Sequence, residues 1–205
     1  MSDLGALDIH RLSGNEPFRT SNEVLDTKLL SFWQWGFSDL VSNSTRGYLA
    51  EYIVALSLGV HEKEARIEWA PYDLCTPDGI KVEVKSSSYI QSWHQNCLSA
   101  ITFRVPKTKS WDRNTGQESE TASRQADVYV FALLANTDQS TLDPLNLDQW
   151  QFYVLPTFML DERKRSQYSI TLKSLSMLAG ESIAFAGLRS AVYQAAEIQS
   201  EYCSR

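Results

Sequence analysis

The sequence predicts an α/β (α+β) fold, with one central mixed β-sheet flanked by helices. Three observations predict it. Helical apolar spacing comes first in the chain, strand-like runs fill its middle, and a helical pattern closes it. The 205 residues, 43% hydrophobic and 21% charged, suit a single domain with a full core.

Residues 22–41, NEVLDTKLLSFWQWGFSDLV, have helical spacing at Val24, Leu25, Leu29, Leu30 and Trp33. Residues 42–60, SNSTRGYLAEYIVALSLGV, give a cleaner helix. Ser44 or Thr45 can cap it, Gly59 can end it, and Leu49, Ile53, Val54 and Leu56 form its apolar side. Strands are expected at 65–70 (ARIEWA), 72–75 (YDLC), 80–89 (IKVEVKSSSY) and 99–105 (SAITFRV). The polar stretch 106–125 reads as a loop with room to move. Residues 126–134 and 150–160 read as buried strands, 169–178 as a strand leading into a short helix, and 181–202 as a closing helix.

The formal net charge of -6 counts against a protein that coats nucleic acid without specificity. It leaves room for an enzyme that meets phosphates with a local basic patch and bound cations. Cys75, Cys97 and Cys203 are odd in number and far apart, so neither a disulfide framework nor a zinc knuckle is expected. His10, His61 and His94 are equally scattered. The first residues lack the apolar run of a signal peptide, and no stretch approaches the ~18 apolar residues of a membrane span. A cytoplasmic protein without membrane contact is the expectation.

The chemistry is concentrated in YDLCTPDGIKVEVK, residues 72–85. TPDGI favours a tight turn, with Pro first and Gly where a positive φ is needed. A three-residue loop Pro77-Asp78-Gly79 pairs residues whose numbers sum to 156, which sets Asp73 opposite Glu83. Two carboxylates facing each other across a hairpin destabilise it unless a cation lies between them. Lys85 shares the face of Glu83 and can orient a water or stabilise charge growing on a phosphate. Glu51, amid the apolar residues of the preceding helix, is a third acid able to join them. The plain alternative is a solvated strand face whose charges pair along the strand.

A helix acid, an Asp on one strand and a Glu-x-Lys on the next resemble the PD-(D/E)xK nuclease superfamily, which includes many restriction endonucleases. The resemblance covers roughly residues 45–135, with a helical extension before it and further strands and a helix after it. It departs from the pattern in having Tyr72, not Pro, before Asp73. A literal Pro77-Asp78 lies at the hairpin tip and is read as a decoy. A helix expected soon after the Glu-x-Lys strand is not evident. The resemblance implies a Mg²⁺-dependent endonuclease that hydrolyses DNA phosphodiester bonds, with Mn²⁺ able to substitute. Asp73, Glu83 and Glu51 would hold metal and Lys85 would be the catalytic lysine. A non-catalytic module of the same fold, binding nucleic acid or a protein, is the alternative. RNA as substrate and a homodimeric state stay open.

Contacts to nucleic acid are expected from Arg104, Lys107, Lys109 and Arg113, where positive charge gathers around Trp111. Ser87 and Gln91 follow on the Glu83 face if the strand continues, and hydroxyl and amide groups suit phosphate oxygens. A solvated loop and a strand end are the plain readings of these two groups.

Overall fold

The computed structural model describes residues 4–62 and 65–205. In chain order its elements are β1 (Pro17–Arg19), β2 (Val24–Lys28), α1 (Leu29–Phe37), α2 (Asn43–Leu58), β3 (Leu74–Cys75) and β4 (Lys81–Ser88). There follow β5 (Thr102–Arg104), β6 (Trp111–Asp112), β7 (Gln117–Glu118), β8 (Val128–Leu134) and β9 (Trp150–Pro156). The chain closes with α3 (Thr157–Asp161), β10 (Ser169–Thr171), α4 (Leu172–Ala179) and α5 (Phe185–Cys203).

The central sheet has the order β3-β4-β8-β9. It is mixed: β3 runs antiparallel to β4, β4 parallel to β8, and β8 antiparallel to β9. All seven residues of β8 are buried, as a central strand covered on both faces requires. In β4 the alternation of the sequence becomes a division of faces. Val82 and Val84 point into a core with Val54 of α2 and Leu188 and Val192 of α5. The other face of the sheet is covered by a second core, built on Phe103, Phe131, Leu155, Leu160, Ile170 and Leu175. On the β4 edge this second face carries Glu83, Lys85 and Ser87.

Helix α2 ends where Gly59 adopts φ +74°, its N–H reaching the carbonyls of Ala55 and Leu56. At its start Ser42, not Ser44 or Thr45, occupies the cap position, and no side chain caps the helix. Leu56 turns outward, while Ala50, Ala55 and Leu58 complete the buried side.

Several elements differ from the sequence expectation. Residues 24–28 form a strand with β1 in place of a first helical turn. Residues 65–70 form no strand; the side chain of Arg66 there serves an ion pair. Residues 102–104 pair with β10, outside the central sheet. Pro156 ends β9, and residues 157–161 turn into a helix, as a proline without a donor permits. The stretch 106–125 folds back as an arm. Trp111 pairs with Glu118, and an isolated bridge joins Thr108 to Ser123. The crossover 89–127 between parallel β4 and β8 contains no helix. None of the residues of α1 is buried. No described helix is long and apolar enough to cross a membrane.

Candidate active site on the edge hairpin

The turn forms as its residues dictate. Gly79 takes φ +85°, and its N–H donates to the Thr76 carbonyl at 2.9 Å. Leu74 pairs with Val82 and Cys75 with Lys81, the register that the three-residue loop sets. The last strand pair is Leu74 with Val82, although the Asp73 N–H still donates to the Val82 carbonyl at 3.1 Å. Beyond that pair the Asp73 carboxylate accepts the Val84 N–H at 2.7 Å through Oδ2, so a side chain replaces the backbone acceptor. One carboxylate oxygen is thereby anchored to β4 and the other is left for chemistry. Asp78 lies exposed at the tip, where it accepts a hydrogen bond from Tyr193 of α5.

Asp73 and Glu83 line one cleft of about 600 Å³. Its walls include the 68–71 segment and the 108–111 stretch of the arm. The Lys85 ammonium is paired with Glu83 Oε1. Burial raises the pKa of Glu83 above the ordinary carboxylate range; the Asp73 charge adds to this, and Lys85 opposes it. Burial likewise raises Asp73, against the Val84 hydrogen bond and Lys85. Tyr129, the neighbour of Glu83 across the parallel pair, is raised by burial and then by the Glu83 charge. The cleft therefore holds two partly desolvated carboxylates whose negative charges disfavour each other.

Glu51 projects from α2, and its side chain is only 12% exposed. Burial raises its pKa, and the Asp73 and Lys85 charges reach it. Both its oxygens are taken by Arg66, Nε on Oε2 and Nη2 on Oε1. Arg66 also pairs with Glu68 and lies 4.6 Å from the centre of the Tyr48 ring. Among the described residues no group of three or more His, Cys, Asp or Glu side chains converges as a metal site. Of the acids that line the cleft, Glu68, Asp73, Glu83 and Glu118, the two carried by the hairpin are Asp73 and Glu83. That pair fits a hard divalent cation, since Mg²⁺ takes one or two carboxylates and completes its shell with water and phosphate oxygens.

The family model of bacteriophage T4 endonuclease IV matches residues 19–173, roughly three quarters of the chain. The chain belongs to the bacteriophage T4 endonuclease IV family. The matched span holds Glu51, Asp73, Glu83 and Lys85 and both of these wall segments; α5 lies outside it. A comparison with curated proteins finds no match.

In this member of the T4 endonuclease IV family the basic cluster expected around Trp111 is dispersed. Lys109 lines the cleft. Lys107 pairs with Asp161 at 3.1 Å, and Arg113 donates to the Leu7 carbonyl, beside a second cavity. Arg104 stands exposed on β5. Ser87 remains half-buried on β4. Gln91 is buried and does not line the cleft. Its amide oxygen accepts from Arg46 at 3.2 Å, and its amide nitrogen donates to the Ser88 carbonyl at 2.8 Å.

Two residues of the site escaped sequence reasoning. Arg66 had only its charge within a short apolar run as a signal. Trp69 sat in the same run, where an aromatic residue reads as core; it is 70% exposed at the rim of the cleft.

Proposed function

We propose that the protein is a Mg²⁺-dependent endonuclease of the PD-(D/E)xK type that hydrolyses DNA phosphodiester bonds, with Mn²⁺ able to substitute. The observation that carries this reading is the pairing of Asp73 and Glu83 in one cleft, with Lys85 on the same strand face as Glu83. Membership of an endonuclease family supports it.

Asp73 and Glu83 would hold the cation. When bound, it supplies positive charge against the two carboxylates and against the charge that grows on the phosphate. Asp73 is positioned by the Val84 N–H, so its free oxygen is fixed relative to β4. Lys85 has two roles. Its ammonium opposes the rise that burial imposes on the Glu83 pKa, and its remaining N–H bonds can orient the attacking water. The water oxygen forms the new bond to phosphorus as the bond to the leaving oxygen breaks. One water proton passes to solvent, and the leaving oxygen takes a proton from solvent. Glu51 feels the charges of Asp73 and Lys85 and has its own charge compensated by Arg66.

Cleavage of supercoiled and linear DNA tests the proposal, with Mg²⁺ or Mn²⁺ and with EDTA, beside Glu83→Ala and Lys85→Ala. Cutting that disappears in both variants and in EDTA supports it. Cutting that persists in EDTA overturns the metal, and cutting that persists in Glu83→Ala overturns the site.

A further inference from the structure

Trp69 and Trp111 meet at the rim of the cleft, with ring centres 6.0 Å apart and planes inclined by 65°. The two come from different segments of the cleft wall. Trp69 belongs to the irregular 68–71 segment and Trp111 to the folded arm. Both keep solvent exposure, 70% for Trp69 and 37% for Trp111. An indole left that open beside charged groups gains nothing for the fold. The edge-to-face contact nevertheless fixes the pair, so that Trp111 braces Trp69 and one ring face stays open.

Charge sharpens the question of what this face takes. Among the described residues the cleft is lined by Glu68, Asp73, Glu83 and Glu118 and by one cation, Lys109. Such a surface repels a polyphosphate chain, so attraction for the strand within the cleft must come from elsewhere. Every base has a π-face, and stacking on an aromatic side chain is largely independent of charge and of sequence.

We infer that Trp69, braced by Trp111, is a stacking platform for a nucleobase of the DNA, and that this contact sets the neighbouring phosphate beside Asp73 and Glu83. This deepens the nuclease reading and rests on it for the identity of the ligand. Trp69 is a positioning residue; it touches the base and leaves the reacting atoms to the carboxylates.

The test is binding in EDTA, where no cutting is expected. The probes are a short single-stranded deoxyoligonucleotide and an abasic one of equal length, which carries the same phosphates without bases. The full-length protein binds the base-bearing strand about tenfold more tightly than the abasic one. Trp69→Ala removes that preference, and Trp69→Phe, which keeps an aromatic face, retains most of it. Equal binding of the two strands by the unaltered protein overturns the platform, as does a preference that survives in Trp69→Ala. A Trp69-dependent preference in a protein that never cuts DNA leaves the platform standing and sinks the nuclease reading instead.

Discussion

The Asp73 carboxylate accepts the Val84 amide hydrogen at 2.7 Å, where a continued ladder would offer a backbone carbonyl. The contact takes the place of the next ladder bond and fixes one acid of the cleft with the same atoms, while the Asp73 N–H still donates to the Val82 carbonyl at 3.1 Å. Structure and chemistry separate in two variants. Asp73→Asn retains an oxygen for the Val84 N–H, so it folds with stability at least that of the unaltered protein at neutral pH. Asp73→Ala leaves that N–H without its acceptor and is about 1–2 kcal/mol less stable than Asp73→Asn. Both lose DNA cleavage by more than about a hundredfold, since neither brings the charge that holds a cation. Urea unfolding and a cleavage assay on the same preparations check this; equal stability of the two variants would remove the structural half of the role.

Burial, and after it the Asp73 charge, hold the Glu83 pKa above its ordinary value. The sign of the consequence is fixed by linkage. In the unfolded chain a Glu titrates near about 4.3, so between there and the raised folded value the native state binds more protons than the unfolded one. Stability therefore falls as pH rises through that interval and stays reduced above it. Glu83→Gln removes the titration. The variant gains stability relative to the unaltered protein on going from pH 4 to pH 8, while losing cleavage. Melting temperatures of both proteins across that range give the difference directly, and a difference that stays flat with pH would show that Glu83 is not held up.

The parts of this molecule that were legible in its sequence are those governed by neighbours along the chain. The alternation of Lys81 to Lys85 announces the faces of β4, and Pro77-Asp78-Gly79 announces both the turn and its register. The continuous apolar run of β8 announces a strand covered on two sides. What stayed hidden depends on partners distant in sequence. Arg66 matters because a helix fifteen residues earlier presents Glu51 to it. Gln91 shares strand spacing with Glu83 in the sequence, but β4 ends at Ser88 and the chain bends so that the Gln91 amide oxygen accepts from Arg46. The arm 106–125 has the composition of a loop, and its pairing of Trp111 with Glu118 leaves no local signature.

The Arg66 ion pair gives the third prediction. Glu51 is mostly buried, and among the described residues its carboxylate bonds only this guanidinium, which is itself partly open to water. Arg66→Ala leaves a buried carboxylate uncompensated. Such losses cost about 3–5 kcal/mol in closed interiors, and solvent at Arg66 reduces the expectation here to about 1–2 kcal/mol at neutral pH. Arg66→Ala with Glu51→Gln recovers most of the loss, because the neutral amide needs no counter-charge. A double-mutant cycle by chemical denaturation measures the coupling, and strictly additive effects would show that the pair contributes nothing.

Lys85 separates positioning of water from binding of the cation. Its ammonium occupies one oxygen of Glu83, so its removal frees that oxygen while taking away a donor directed at the site. Lys85→Ala should cleave DNA about 10²- to 10³-fold more slowly, the loss typical of one donor that stabilises developing charge. Its affinity for Mn²⁺, measured by titration calorimetry, should be retained, in contrast to Asp73→Asn, which loses cleavage and cation binding together. Lys85→Arg should rescue poorly, since the planar guanidinium of a longer side chain does not place its N–H groups where a compact ammonium does. Loss of Mn²⁺ binding in Lys85→Ala would mean that the lysine maintains the cation site, and unimpaired cleavage would remove it from the mechanism.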